Sequence, residues 1–346
     1  MLSRLMKPKS AVWALDFGEH SVIVCIGWEK KPGEWVLLGQ GASRARGRVR
    51  GEIAKMSDAV ESVVEALRLA EKAAGMRCGR LYFNFDDTAI VSAHPSGSKT
   101  LSGEGQIRHD DVRDAARSAC RMVGDFEHAP VYTREIDYLI DGKDSVKNPV
   151  GVFGHRLDVR LHVLLARARL LEQWKNVMRR AEIERFAPVL SLDSVCQAVF
   201  EGRAKPGIVW DLGDDVTSGG VFENGVLSEY SVFLSADAKA PEAAEKIGTA
   251  SRAWMRAHGV AEPLWVTGDC AGRPAQMQKL SQALELKTAV VHASQVPAMS
   301  EPGQAAAAGL LLASSQREKR APHVKVDGRW AGRMREKASV LIQEYF

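Results

Sequence analysis

Apolar and polar positions alternate in two registers along this chain, and the register predicts the elements. Near the N-terminus, Val12-Trp-Ala-Leu-Asp16-Phe-Gly18-Glu-His-Ser21-Val-Ile-Val-Cys25 reads as apolar strand, Asp-x-Gly turn and apolar strand, followed by a third strand from Trp35. The predicted strands cover about 11–17, 21–29 and 34–41. Half a chain later, Ile208-Val-Trp-Asp211-Leu-Gly213-Asp-Asp-Val-Thr217-Ser-Gly-Gly-Val-Phe222 repeats the plan. Asn224-Gly225 follows as a hairpin turn, since both central residues of a type I′ turn need φ > 0. Between the two copies, a helix is predicted from an N-cap at Ser57 to Gly75, with Val60, Val63, Val64, Leu67 and Ala74 at helical spacing. Leu81–Phe85 reads as a strand and Ser92–Gln106, rich in Ser and Gly, as a loop. A helix over Asp110–Val123 places Val112, Ala116, Ala119 and Met122 on one face.

The period changes to two over Arg156–Ala166, where Leu157, Val159, Leu161 and Val163 alternate with polar residues as in a half-buried strand. Helices are predicted at 168–182 (Leu171, Trp174, Val177, Met178, Ala181) and 191–201. Beyond the second hairpin come a helix over Pro241–His258 and a turn at Val266-Thr-Gly268-Asp269-Cys270. A helix over 274–285, a strand over Thr288–His292 and a helix over Gln304–Ser315 complete this part. The last segment, Trp330–Phe346, is amphipathic. Trp330, Met334, Ala338, Leu341, Ile342 and Tyr345 share one helical face, and a basic linker with Arg317, Lys319, Arg320 and Lys325 precedes it.

Composition narrows the class without naming a chemistry. With 346 residues the chain is too long for one simple core, so two lobes are expected. It is 45% hydrophobic and 26% charged, as in a soluble globular protein, and a net charge of +4 is too small to imply nucleic acid. The five cysteines show no CxxC spacing and fit free thiols in a reducing cytosol, with no disulfide or metal site expected. No apolar run reaches transmembrane length, and the basic N-terminus lacks the apolar core of a signal peptide. No Ser/His/Asp or Cys/His arrangement suggests catalysis, so no catalytic residue is assigned.

Each Asp-x-Gly turn can form a nest of backbone N–H groups that binds an anion, with glycine allowing close approach. Two such hairpins with equivalent flanking strands resemble the actin-like ATPase superfamily, in which they grip a nucleotide's phosphates from opposite sides and their aspartates hold the accompanying cation. The resemblance sharpens in the order of the later elements. A helix leads to an insertion with the turn Asp141–Gly151, the strand Arg156–Ala166, the helix 168–182 and the phrase Ala187-Pro-Val-Leu-Ser-Leu192. This is similar to FtsA, the bacterial actin-like protein that anchors the division ring to the membrane, and to a sister family, PilM of type IV pilus assembly. The spacing is closer to FtsA.

The implied fold is α/β, a two-lobe actin-like (ribonuclease H-like) architecture with an inserted α+β SHS2-type subdomain and a reduced 2B subdomain. The implied domains are a first lobe at 1–83 and 167–205, the inserted subdomain (1C) at 84–166, and a second lobe (2A) at 206–315 with 2B reduced to about 236–262. A basic linker at 316–329 and the amphipathic helix 330–346 complete the chain. The positions equivalent to the family's nucleotide contacts are Asp16, Gly18, Ser21, Asp211, Gly213, Thr217 and Gly268.

The turns themselves depart from the family. The first usually carries Thr or Ser after the glycine, and here has Glu19-His20-Ser21. The second usually reads Asp-x-Gly-Gly-Gly-Thr-Thr-Asp, and here Asp214 and Asp215 replace two glycines. The third, usually Thr-Gly-Gly, has Asp269. A like-charge pair at ~5 Å costs on the order of 3 kcal/mol at an effective dielectric of roughly 20. Carboxylates facing a triphosphate therefore argue against ATP with Mg²⁺, the family's cofactor, and no cofactor or enzymatic activity is expected. The reduced 2B removes one wall of the cleft and the family's docking site for FtsZ.

The expected function is a degenerate, membrane-associated adaptor or scaffold in bacterial cell division, cytoplasmic and peripheral on the inner face of the cell membrane. Its partners would come from the division machinery, with self-association open. The alternatives are a nucleotide-binding actin-like ATPase that polymerises, and a PilM-like component of a pilus or secretion assembly. Trp330, Met334, Leu341, Ile342, Tyr345 and Phe346 would contact the membrane, as the amphipathic helix that ends FtsA-type proteins does. The competing expectation is that this helix docks on the protein's own surface.

Overall fold

The computed structural model describes residues 11–31, 34–123, 125–200, 206–223, 225–235, 240–291, 296, 299 and 301–319. In order, the chain forms β1 (Val12–Phe17), β2 (Ser21–Lys31), β3 (Glu34–Arg44), the short pair β4 (Arg48–Val49) and β5 (Glu52–Ile53), α1 (Met56–Ala74) and β6 (Arg80–Phe85). Next come β7 (Val91–Ala93), β8 (Ser96–Gln106), α2 (His109–Cys120), β9 (His128–Ile140), β10 (Asp144–Val146) and β11 (Phe153–Arg167). They are followed by α3 (Ala168–Arg180), β12 (Arg185–Leu190), α4 (Ser191–Phe200), β13 (Gly207–Leu212), β14 (Val216–Glu223) and β15 (Val226–Leu234). The remainder is α5 (Ala240–His258), β16 (Leu264–Thr267), α6 (Pro274–Leu284), β17 (Thr288–Val290) and α7 (Ala305–Lys319). Two compact units result, one from residues 11–88 and 173–319 and the other from residues 89–172.

The first unit contains two five-stranded sheets of one topology. Their orders are β12-β6-β1-β2-β3 and β15-β14-β13-β16-β17. In each, the second strand of the Asp-x-Gly hairpin pairs antiparallel with the third strand, and the first strand pairs parallel with a later strand that is itself parallel to the edge strand beyond it. The architecture is the α/β, actin-like one. β1 is buried along its whole length, its apolar run Val12–Leu15 being that of a central strand covered on both faces, and Asp16 is buried with it. α7 lays Ala307, Ala308, Leu310, Leu311 and Leu312 into a core with Val12, Ala14, Ile23 and Cys25 of the first sheet. On the second sheet, α5 supplies Ala244, Ile247 and Trp254 to the core. Trp254 stacks on Trp210 at 5.5 Å, and the Trp210 indole N–H donates to Ser251 Oγ at 3.0 Å. Between β15 and β16 the described residues hold α5 and no other helix or strand.

The second unit wraps α2 against a sheet of order β10-β9-β11-β7, with β8 pairing β11 as well. Its core is Val112, Ala115, Ala116 and Ala119 of α2 against Leu157, Val159, Leu161 and Val163 of β11, the period-two residues.

Four local expectations change. Ser57 does not cap α1. The helix begins two residues earlier, the N-cap position is Lys55, and the Ser57 hydroxyl donates to Asp58 Oδ1 within the first turn. The Ser/Gly-rich stretch 92–106 is mostly strand, because β8 pairs with β11 and Gly97 lets α2 lie against it. A Cβ on Gly97 would meet the Ala119 nitrogen at 2.3 Å and the Ala115 oxygen at 2.4 Å. Met122 is exposed, since α2 ends at Cys120 and Met122 falls in the turn beyond. The last helix runs past Ser315 to Lys319, so the linker expected from 316 begins in helix. The rest of the linker and Trp330, Met334, Leu341, Ile342, Tyr345 and Phe346 lie outside the described residues, as does Asn224.

Candidate functional site

The two hairpin turns, the turn after β16 and the start of α7 converge on one small cavity in the first unit. It measures about 70 Å³ and is lined by Asp16, Gly18, Glu19, Arg48, Asp86, Ser191, Asp211, Gly213, Gly268 and Asp269, among others. Both hairpin turns close the same way. The Gly18 N–H donates to Ser21 O at 2.9 Å and the Gly213 N–H to Val216 O at 3.1 Å. Gly268 takes φ 92°, in the left-handed region, as β16 turns into a short 3-10 segment, Asp269–Gly272. Five of the seven positions read from the sequence therefore line one cavity. Ser21 and Thr217 do not. Thr217 Oγ1 is hydrogen-bonded to Ser235 Oγ at 2.6 Å, turned away to β15's end.

Four elements bring residues that sequence reasoning missed. Arg48 belongs to β4 and donates through Nη1 to Phe17 O at 2.5 Å. Asp86 stands at the carboxyl end of β6, a parallel strand, where ligand-facing residues of open α/β sheets gather; that position was the available signal. Ser191, the first residue of α4, donates its hydroxyl to Asp86 Oδ2 at 2.7 Å. Arg273, at the N-cap of α6, carried no sequence signal.

The carboxylates brought in by the altered turns do not behave alike. Glu19 reaches from the first hairpin into the second, where its Oε2 accepts the Asp214 N–H at 2.6 Å and its Oε1 the Val216 N–H at 3.0 Å. Asp214 turns away from the cavity. Arg273 Nη1 and Nη2 donate to its two oxygens at 2.7 and 2.6 Å, the Cys270 thiol donates at 3.2 Å, and His20 Nε2 lies 2.7 Å away. Asp215 Oδ2 accepts the Arg50 N–H at 3.0 Å. Asp214 and Asp215 are thus partnered, and Glu19 occupies the opposite turn's N–H groups. Glu19, His20 and Asp214 bring ligand atoms within 4.8 Å of one another, a spacing open to a metal. Both Asp214 oxygens, however, already face Arg273.

The electrostatics follow from these partners. Burial pushes Asp16 up to about 6, opposed by the Asn84 amide that donates to it at 3.1 Å and reinforced by Asp86. Burial, with Asp86 and Asp16 nearby, holds Asp211 well above the usual carboxylate range. Asp86, Glu19 and Asp269 are raised by burial too, Glu19 despite its two backbone hydrogen bonds. Asp214 goes the other way, held well below its ordinary value by Arg273, and the Asp214 bond raises His20. The cavity floor thus collects protonatable acids, while the rim carries a formed ion pair.

Comparison with known proteins fits this geometry. Residues 88–165 match the model of the SHS2 domain inserted in FtsA. The cell division protein FtsA of Pseudomonas aeruginosa is 23% identical over 220 residues, 63% of this chain and 52% of that protein. The FtsA of Rhizobium meliloti is 26% identical over 234 residues, 64% of this chain and 52% of that protein. The chain spans about half the length of the curated relatives it matches. Among solved structures, a chain of the PilM-PilN type IV pilus biogenesis complex superposes with TM-score 0.61 at 13% identity, over 88% of this chain and 99% of that one. Ethanolamine utilization protein EutJ from Carboxydothermus hydrogenoformans gives 0.50 at 12%, over 88% and 90%. The chain is thus similar to FtsA in sequence, with the actin-like fold and a match to the SHS2 domain of FtsA.

Proposed function

We propose that this protein is an FtsA-like adaptor of the bacterial division machinery that works without turning over ATP. The observation that carries the reading is the Glu19 carboxylate seated on the Asp214 and Val216 N–H groups. Around it the cavity holds about 70 Å³, whereas sites for molecules of nucleotide size span roughly 300–1,000 Å³. A nucleoside triphosphate does not fit this arrangement: the turn that would grip it is filled, and the acids lining the floor would face its phosphates. Buried Arg48 Nε and Asp86 Oδ1, both without a hydrogen-bond partner, suit small polar occupants of the cavity.

An adaptor of this kind acts through surfaces. The SHS2 likeness supports a protein partner from the division machinery, and the reduction of 2B to α5 argues against the FtsZ docking that the resemblance would otherwise imply. The amphipathic tail would hold the protein on the inner face of the membrane. Among the described residues no helix is long and apolar enough to cross a membrane. The test is titration calorimetry of the full chain with ATP and Mg²⁺. No binding at micromolar concentrations is expected, and micromolar affinity with hydrolysis would establish the ATPase reading instead.

One observation favours a second reading, a PilM-like component of a pilus or secretion assembly. The chain covers 99% of its match in the PilM-PilN complex but only about half of each FtsA. Affinity purification of the tagged protein from its own cells separates the two readings: division proteins are expected, and pilus or secretion components would decide for the second.

A further inference from the structure

The second hairpin turn points two backbone N–H groups, from Asp214 and Val216, at a single place. Converging N–H groups of a turn select an oxyanion. The oxyanion there is the chain's own, delivered by a residue 195 positions earlier. Gly213 shapes the seat, because a Cβ on it would lie 2.5 Å from Glu19 Oε1 and 2.5 Å from Val216 O. The neighbouring charge is arranged to leave the seat to Glu19. Asp214 lends its N–H inward while its carboxylate is held outward by Arg273 and His20, and Asp215 is tied to the Arg50 N–H. The second hairpin is thus joined to the first through Glu19 and His20, and to the β4–β5 turn through Arg50.

We propose that Glu19 is a built-in substitute for a phosphate-type oxyanion, stapling the two hairpins together so that the cleft stays shut with no nucleotide present. The inference rests on the nucleotide-free reading above and extends it to a cause. It also implies a latent site. With Glu19 removed, the same N–H groups face open space and take an inorganic oxyanion such as phosphate or pyrophosphate.

The experiment compares thermal unfolding of the full chain and of Glu19→Ser and Glu19→Gln, with sodium pyrophosphate and with chloride at matched ionic strength. The wild type should show no shift with pyrophosphate beyond the chloride control. Glu19→Ser should melt lower and regain about 2–3 °C at roughly tenfold the pyrophosphate Kd. Glu19→Gln, with one uncharged acceptor, should recover part of the loss. Equal stabilisation of wild type and Glu19→Ser by pyrophosphate would overturn the proposal, and so would a Glu19→Ser protein that neither melts lower nor responds. Should Glu19→Ser not fold, hydrogen exchange in the wild type decides. The Asp214 and Val216 amides should exchange on the order of a hundredfold slower than free amides, and exchange at the free rate refutes the staple. Micromolar ATP binding by the wild type would sink the nucleotide-free reading itself. A silent Glu19→Ser in a protein that still refuses ATP sinks only the staple.

Discussion

Asp16 and Asp214 share a cleft, and their surroundings push their protons in opposite directions. Asp16 is buried and raised from 3.8 to about 6. The folded protein therefore binds that proton more tightly than the unfolded chain. The stability this contributes is fully present below 3.8 and is lost as pH rises through about 6. The full difference is worth roughly 3 kcal/mol. Asp214 is lowered by Arg273, so its contribution is present above its unfolded value and lost as the solution turns acid. Asp16→Asn keeps an acceptor for the Asn84 amide and removes the charge, so it should stabilise the protein at neutral pH by up to that amount and leave acidic stability little changed. Urea unfolding of both proteins at about pH 3.5, below the unfolded value, and at about pH 8 measures this, and parallel pH curves would refute it. The aspartates and glycines of this cleft were legible, since Asp16, Gly18, Asp211, Gly213 and Gly268 sit in turns with their own local signature. The role of Glu19 was not. The sequence showed an unusual carboxylate beside a phosphate turn, and repulsion was the natural inference. What decides its behaviour is a meeting with Asp214 and Val216 from the other hairpin, which no local pattern encodes.

At the scale of elements, helices with a strong apolar face and turns with fixed chemistry were readable, and strands built from small polar residues were not. α1 closes at Gly75, φ 62°, whose N–H bonds Glu71 O as a left-handed cap allows. β8 escaped because Ser96-Gly-Ser-Lys-Thr-Leu-Ser-Gly103 carries no apolar alternation; its strand character comes from the partner β11 and from α2 lying over Gly97. That contact is testable. Because the clashing atoms are helix backbone and cannot swing aside, Gly97→Val should force α2 off the sheet and cost about 2–4 kcal/mol. Denaturant unfolding of the full chain checks it, with Gly103→Val as the comparison for backbone strain, because Gly103 has no neighbour within 4 Å but takes φ 73°. A Gly97→Val protein as stable as wild type would mean that α2 does not pack where it is described.

For the whole molecule, the repeated hairpin already implied a duplicated architecture, and the two sheets share strand order and strand directions. A short turn motif could foretell so much because each Asp-x-Gly turn fixes an antiparallel pair whose neighbours are then constrained by crossover rules. The tail is a different kind of inference, drawn from helical periodicity and charge alone. We expect the membrane contact to need two terms. The linker's Lys and Arg would be drawn to anionic lipid by about 1 kcal/mol each near the surface, screened by salt. The apolar face would insert Trp330, Met334, Leu341, Ile342, Tyr345 and Phe346, each large side chain contributing roughly 1.5–3 kcal/mol when fully buried. Either loss should release the protein. Truncation after Arg320, or Trp330→Glu with Leu341→Glu, should abolish co-sedimentation with vesicles containing anionic lipid, and neutralising the linker should weaken it most at low salt. The thermal response of Glu19→Ser to pyrophosphate should persist in the truncated chain. A truncated protein that sediments like the full chain would place the helix on the protein's own surface and leave the membrane attachment to some other part of the molecule.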